Sequence, residues 1–156
     1  METAQKQGRY DRVIAQLKEL VVKTDDPVAR MATIVAILKF KFRYFFWCGF
    51  YRVAGEELIV GPYQGPVACQ VLKGGGVCLA CVGEARSIIV PDVHKFPGHI
   101  ACDSRSNSEI VVPVSDREHR LVAVLDVDST SFGSFDETDR LALERIASMV
   151  YSSNNI

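Results

Sequence analysis

The sequence predicts an α+β domain in which a central antiparallel sheet is flanked by N- and C-terminal helices. Apolar residues recur at helical spacing near both ends of the chain, whereas its middle contains short aromatic and β-branched runs separated by turn residues. The chain has 156 residues, of which 48% are hydrophobic, which suffices for one core. We therefore expect a single domain over residues 1–156.

The N-terminal part predicts two helices. The first should cover residues 8–22, and Asp26 should cap a second helix whose first residue is Pro27, where a missing N–H costs no hydrogen bond. This second helix should run to about Lys39. The apolar stripes consist of Val13, Ile14, Leu17, Leu20 and Val21 in the first helix and Met31, Ile34, Val35, Ile37 and Leu38 in the second.

Two strands should follow, YFFWCGFYRV at residues 44–53 and LIVG at 58–61, joined by the turn AGEE. The proline- and glycine-containing residues 61–76 are expected to be irregular. A short helix over 77–86, the strand SIIV and a long loop at 91–108 come next.

The C-terminal part predicts a hairpin and a helix. EIVVPVSD and RLVAVLDVDS should pair through a turn at residues 117–119. Ser134 and Glu137 have the spacing of a capping box. The apolar stripe of the last helix consists of Leu141, Leu143, Ile146, Ala147 and Val150.

Composition excludes several classes of protein. A net charge of −1 argues against binding nucleic acid or an anionic membrane through bulk electrostatics. The N-terminus is polar, and no apolar run reaches the ~18 residues of a membrane helix. We therefore expect a cytoplasmic protein whose five cysteines are reduced at rest.

The cysteines differ in their surroundings. Cys48 lies in an apolar strand and is expected to be buried, whereas Cys78 and Cys81 form a C-x-x-C on a predicted helix. Cys102 lies in the polar loop FPGHIACDSRSNSE, three residues after His99. Reactive cysteines often lie in such exposed polar loops. The alternatives are an idle surface thiol or a zinc site of Cys69, Cys78 and Cys102 with His94 or His99.

Three carboxylates should converge at one end of the hairpin. Asp126 and Asp128 are two apart on a strand and point to the same face, while Leu125 and Val127 point into the core. Glu109 begins the partner strand. Because three such charges repel one another, the cluster calls for a cation or for a proton on one member. The alternative is a solvated strand end.

Several longer motifs resemble the free methionine-(R)-sulfoxide reductases, which are single GAF-domain enzymes. The resemblance extends from about residue 26 to residue 146 and implies a GAF-like antiparallel sheet flanked by helices. The motifs are WCGFY at 47–51, GPYQGPVAC at 61–69, GVC at 76–78, VPDVHKFPGHIACDSRSNSEIVVP at 90–113 and VLDVDS at 124–129.

The resemblance implies thiol-dependent reduction of the R-sulfoxide of free methionine. A cysteine becomes a sulfenic acid, a second cysteine closes an intramolecular disulfide, and a thioredoxin-like donor reduces it, so that no bound cofactor or metal is needed. A homodimer is possible. The implied residues are Cys102 as the attacking thiol, Cys69 and Cys78 as resolving or auxiliary thiols, Glu109, Asp126 and Asp128 as substrate-binding carboxylates, and Trp47 and Tyr51 as an aromatic wall.

The chain departs from the family pattern around the resolving cysteines. Leu79 replaces a usual glycine, and Cys81 is additional and offers an alternative resolver. The run Gly74–Gly76 is a candidate hinge for the motion that brings the thiols together. The competing interpretation is a GAF domain that senses a small ligand or redox state without turnover.

Overall fold

The computed structural model describes residues 1–99 and 102–153. Its helices and strands confirm the predicted α+β class, with helices at both ends and an antiparallel sheet between them. The elements are α1 (Thr3–Val21), α2 (Pro27–Lys41), β1 (Trp47–Ala54), β2 (Glu57–Gln64), β3 (Val71–Leu72), α3 (Val77–Glu84), β4 (Ile88–Val90), a 3-10 helix (Val93–Lys95), β5 (Ser108–Ser115), β6 (Leu121–Ser129) and α4 (Glu137–Ala147).

The strands lie in the order β3-β2-β1-β6-β5-β4, and each neighbouring pair is antiparallel. The hairpins β1–β2 and β5–β6 follow from short turns. Pairing of β1 with β6 then joins the two hairpins into one sheet. The motifs WCGFY and VLDVDS thus lie on neighbouring strands at the sheet centre.

The helices divide between the two faces of the sheet. Helices α1, α2 and α4 pack on one face, against inward residues such as Phe50 and Leu125. Helix α3 lies on the other face, where it packs with Tyr51, Val111 and Val124. These strands are apolar on both faces, so the second face also needs a cover.

The cap of α2 is as predicted, whereas that of α4 is not. The Asp26 carboxylate accepts the Ala29 N–H at 2.9 Å. In α4 the cap is Asp136, which accepts from the Asp139 N–H, and the Asp139 carboxylate accepts the Asp136 N–H at 2.9 Å. The Lys6 ammonium donates to the same Asp139 carboxylate at 2.6 Å, and this long-range contact favours the later of the two i, i+3 pairs.

Two predicted stripe residues lie outside the core. Leu20 is 40% exposed and Leu141 is 55% exposed, because each falls on the flank of its helix that turns toward solvent. Tyr10, which precedes the predicted α1 stripe, is fully buried. The remaining stripe residues are buried, apart from Ile37, which is partly buried.

The expectation of irregular structure over 61–76 is also wrong in part. Strand β2 continues to Gln64, and β3 pairs with its outer edge through Leu58 and Leu72. The register of β1 against β2 shifts opposite Pro62, so the proline sits in a bulge where its missing N–H costs no ladder bond. No helix in the described ranges is long and apolar enough to cross a membrane.

Candidate active site

The three predicted carboxylates do converge, on the sheet face that α3 covers. Glu109 of β5 stands directly opposite Asp128 of β6, and Asp126 lies two residues earlier on the same face. Leu125 and Val127 point into the core beneath α1, α2 and α4, as predicted. Glu109 and Asp126 are each only 5% exposed, so this is not a solvated strand end.

Burial and mutual repulsion favour the neutral forms of these acids. Loss of water, followed by the charges of Asp126 and Asp128, raises the pKa of Glu109 well above 4.5. Loss of water also raises the pKa values of Asp126 and Asp128. At Asp126, hydrogen bonds from Glu109 and Cys78 oppose the rise. The cluster therefore holds a proton more strongly than exposed acids do.

One acceptor in the cluster has no partner. Asp126 Oδ1 is buried and accepts no hydrogen bond from the described residues. A buried acceptor left unpaired costs about 1–3 kcal/mol, and more when it carries charge. A donor from a bound ligand would satisfy this oxygen.

An aromatic wall stands beside the carboxylates. The rings of Trp47 and Tyr51 face the same pocket with centroids 5.8 Å apart, and the Tyr63 ring stacks on Trp47 with centroids 5.4 Å apart. A Cβ at Gly49 would lie 2.4 Å from both the Trp47 ring and Tyr63 Cβ, so only glycine allows the indole to lie over the strand. Gly49 therefore belongs to the site, although the sequence analysis of the motif WCGFY predicted roles only for Trp47 and Tyr51.

The polar ends of the wall hold the segment that carries Cys69. Tyr51 Oη donates to the Cys69 carbonyl at 2.9 Å, and Trp47 Nε1 donates to the Pro66 carbonyl at 3.1 Å. Both bonds reach 18 or 19 residues along the chain. The wall thus lines the pocket and also positions a cysteine at its rim.

Cys69 and Cys102 form a disulfide at this rim, with Cα atoms 5.5 Å apart. Cys102 is exposed and Cys69 is partly buried. The sulfurs of both are consumed in this bond, so the alternative zinc site that includes them is not formed in this state. Cys81 is fully buried and free, as is Cys48 on the opposite sheet face.

Cys78 lies inside the pocket instead. Its thiol is free and buried, and it hydrogen-bonds to Asp126. Burial, then the charges of Asp126 and Glu109, raises the pKa of Cys78 well above its ordinary range. In this state Cys78 is therefore a protonated neighbour of the carboxylates.

The titratable groups near Cys102 are a paired carboxylate and a histidine with a lowered pKa. Asp103 pairs with Arg105 through contacts of 3.0 and 2.7 Å, which lower the pKa of Asp103 to about 2 and compensate its charge. His99 lines the same pocket, and burial, with the nearby His94, lowers the pKa of His99. A neutral His99 does not assist ionisation of Cys102 as an imidazolium would.

The pocket also contains residues that the sequence interpretation missed. The Ser106 hydroxyl hydrogen-bonds to Asp128, and the Arg105 guanidinium lies 4.9 Å above the Phe46 ring. Ser106 is within the motif-rich loop, but a serine in a polar loop carries no distinguishing signal. At the candidate hinge, a Cβ on Gly75 would lie 3.3 Å from the Gly98 carbonyl oxygen, so two glycine turns touch there.

Comparison with known proteins identifies the family. No family model matches the chain. GAF domain-containing protein A of Dictyostelium discoideum is 44% identical over 147 residues, which are 93% of this chain and 92% of that protein. The free methionine-R-sulfoxide reductase of Escherichia coli K12 is 39% identical over 124 residues, which are 79% of this chain and 74% of that protein. The chain belongs to the free methionine-R-sulfoxide reductase family.

The solved structures agree with this membership. The X-ray structure of free methionine-R-sulfoxide reductase from Neisseria meningitidis, in complex with its substrate, is 41% identical to this chain. The two structures superpose with a TM-score of 0.88, and the match covers 93% of this chain and 87% of the Neisseria chain. The expected GAF-like fold of a free methionine-R-sulfoxide reductase is thereby confirmed.

Proposed function

We propose that the protein reduces the R-sulfoxide of free L-methionine to methionine with its own cysteines. The observation that carries this proposal is a single pocket with three parts: buried carboxylates, an aromatic wall and a redox-active cysteine pair at the rim. A domain that senses only a small ligand has no need of a disulfide at the pocket's mouth, and a domain that senses only redox state has no need of the buried carboxylates beside it. Family membership supports the same reaction.

The carboxylates provide the selectivity for a free amino acid. Asp126 and Asp128 accept the substrate ammonium, which methionine inside a protein lacks. The unpartnered Asp126 Oδ1 is the acceptor that the ammonium would satisfy. Trp47 and Tyr51 form the apolar seat for the methyl-thio end of the side chain.

Glu109 is the proton donor in this proposal. Every interaction that shifts the pKa of Glu109 raises it, beginning with burial. Burial also raises the pKa values of Asp126 and Asp128, but hydrogen bonds partly oppose the rise at those two residues. On this ground we assign the shared proton of the cluster to Glu109. A neutral carboxyl can donate this proton to the sulfoxide oxygen as that oxygen leaves sulfur.

The redox steps balance as follows. Cys102 attacks the sulfoxide sulfur, the oxygen is transferred to Cys102 as a sulfenic acid, and methionine leaves as the thioether. The Cys69 thiol then displaces water from the sulfenic acid and forms the Cys69–Cys102 disulfide. Cys69 is our proposed resolver because its Cα lies 5.5 Å from that of Cys102. Cys78 and Cys81 are not needed for this step.

A thioredoxin-like dithiol protein is the proposed electron donor. The exposed Cys102 lets an incoming thiolate reach the disulfide, and no bound cofactor is required for the exchange. Location in the cytoplasm, a single domain over the whole chain and a homodimeric state remain predictions.

The test is a single turnover of the reduced protein with racemic free methionine sulfoxide. We expect loss of the R form only, one methionine released per chain, and a mass decrease of two hydrogens that maps to Cys69 and Cys102. Cys102→Ser should release no methionine. Cys69→Ser should release one methionine and stop as the sulfenic acid, and Cys48→Ser is the matched control because that thiol lies on the other sheet face.

Two outcomes would contradict this proposal. Binding of the sulfoxide without any methionine release would favour the ligand-sensing alternative. Full release by Cys102→Ser would refute the assignment of the attacking thiol.

A further inference from the structure

The pocket floor contains a mixed set of metal-ligating atoms. The Cys78 thiol comes from α3, the Glu109 carboxylate from β5 and the Asp126 carboxylate from β6. One ligand atom from each lies within 4.8 Å of the other two. All three residues are at most 5% exposed, so their positions are set by the packing of α3 on the sheet.

A second observation is an unpaired hydrogen-bond acceptor in this pocket floor. Asp126 Oδ1 is buried and unpaired, and it belongs to one of the three ligand residues. Among the described residues, no lysine or arginine forms an ion pair with Glu109, Asp126 or Asp128. A cation at the floor would both fill the unused acceptor and relieve the repulsion among the acids.

We propose that Cys78, Glu109 and Asp126 form a binding site for a zinc ion. This site differs from the cysteine–histidine set considered from sequence, because it uses neither Cys69 nor Cys102 and therefore exists in the oxidised protein. One thiolate with two carboxylates leaves a fourth position open for water or for a ligand.

The donor types favour zinc over other abundant divalent cations. Mg²⁺ and Ca²⁺ prefer oxygen ligands alone, whereas Zn²⁺ accepts thiolate and carboxylate together. Ligand atoms around a tetrahedral zinc lie roughly 3.3–3.8 Å apart, given bonds of about 2.0–2.3 Å. Atoms now within 4.8 Å reach this separation by side-chain movements of about 1 Å.

Two properties follow from the site. The Cys78 thiol and the Glu109 carboxyl must lose their protons to bind, so affinity rises with pH and binding releases protons. If the proposed function is correct, the metal also occupies the place of the substrate ammonium. Free methionine sulfoxide and zinc should then exclude each other.

The experiment uses the full chain oxidised at Cys69–Cys102, so that those two sulfurs cannot bind metal. Zinc is titrated with calorimetry in buffers of different protonation enthalpy, and cobalt is used as a spectroscopic substitute. We expect one zinc per chain, proton release, and a thiolate-to-cobalt charge-transfer band that zinc removes. Absence of binding at millimolar zinc would overturn the proposal.

Variants locate the site. Cys78→Ser should abolish the charge-transfer band and raise the zinc Kd by more than about 100-fold, since loss of a ligand exceeds the 10–100-fold cost of losing a supporting residue. Cys81→Ser is the matched control, because Cys81 is on the same helix and equally buried. Equal losses in both variants would overturn the proposal in favour of a C-x-x-C site.

A second variant tests the site even if Cys78→Ser does not fold. Asp126→Asn keeps the thiol and the shape of the side chain, and it should also weaken zinc by at least tenfold. Unchanged affinity in this variant would refute the cluster as the site. Zinc binding that methionine sulfoxide does not displace would leave the metal site standing and would contradict the proposed place of the substrate ammonium.

Discussion

Replacing Glu109 by glutamine should raise stability and remove activity at the same time. Glutamine has the shape of the protonated acid without its charge or its acidic proton. Glu109 is 5% exposed and stands directly opposite Asp128 in the sheet. The substitution therefore tests both the electrostatics of the cluster and the proposed proton donor.

The size of the stability effect follows from this geometry. Side chains directly opposite in an antiparallel pair have Cβ atoms about 5 Å apart, and two charges at that distance repel by about 3 kcal/mol at an effective dielectric constant of about 20. Protonation of Glu109 avoids part of this cost in the native protein. We expect Glu109→Gln to gain about 1–3 kcal/mol in unfolding free energy at pH 8.

The pH dependence has a definite sign. The folded-state pKa of Glu109 lies well above its ordinary value of 4.5, because of burial and the neighbouring acids. The folded protein thus binds the extra proton, and the native protein loses this contribution to stability as pH rises through the folded-state pKa. The stability gain of Glu109→Gln should therefore be large at pH 8 and small at pH 4.

The effect on catalysis should be opposite. Loss of a positioned proton donor costs about 10²–10⁴-fold in rate, so methionine release should slow by at least about 100-fold. Urea unfolding at several pH values and rapid-quench single turnovers provide the two measurements. Glu118→Gln is the matched control, since Glu118 is exposed in the β5–β6 turn. A variant less stable than the native protein at pH 8, or one with normal release, would refute the reasoning.

Two further predictions concern the aromatic wall. Gly49→Ala places a Cβ 2.4 Å from the Trp47 ring and should cost about 1–3 kcal/mol of stability, seen as a lower melting temperature, whereas Gly83→Ala, with open space around it, should cost nothing. An unchanged melting temperature for Gly49→Ala would contradict the close approach. Tyr51→Phe removes the hydrogen bond to the Cys69 carbonyl, worth about 1 kcal/mol, and should slow disulfide closure roughly fivefold more than methionine release in quenched-flow mass spectrometry. Equal slowing of both steps would show that the bond does not position Cys69.

Local patterns predicted much of the fold and the orientation of the carboxylates. The alternation of a strand placed Asp126 and Asp128 on the face opposite Leu125 and Val127, and the Asp26 cap followed from adjacent residues alone. Motif resemblance then pointed to the eight site residues, whose roles remain to be tested. These inferences needed only short-range geometry or a matching motif.

Contacts between distant segments escaped prediction. The cap of α4 moved to Asp136 because Lys6, more than a hundred residues away, binds Asp139. Helix α3 covers the second sheet face because the sheet has two apolar faces, which no single segment reveals.

The sequence by itself determined which groups are present for sulfur chemistry and which face of β6 bears the acids, because side-chain alternation is a property of one strand. Only the tertiary structure decided which cysteine meets Cys102. Cys69 lies 33 residues before Cys102, and its segment is held by bonds from Trp47 and Tyr51 to backbone carbonyls. Such a pairing depends on how two loops pack over the sheet, and residue types along the chain do not specify it.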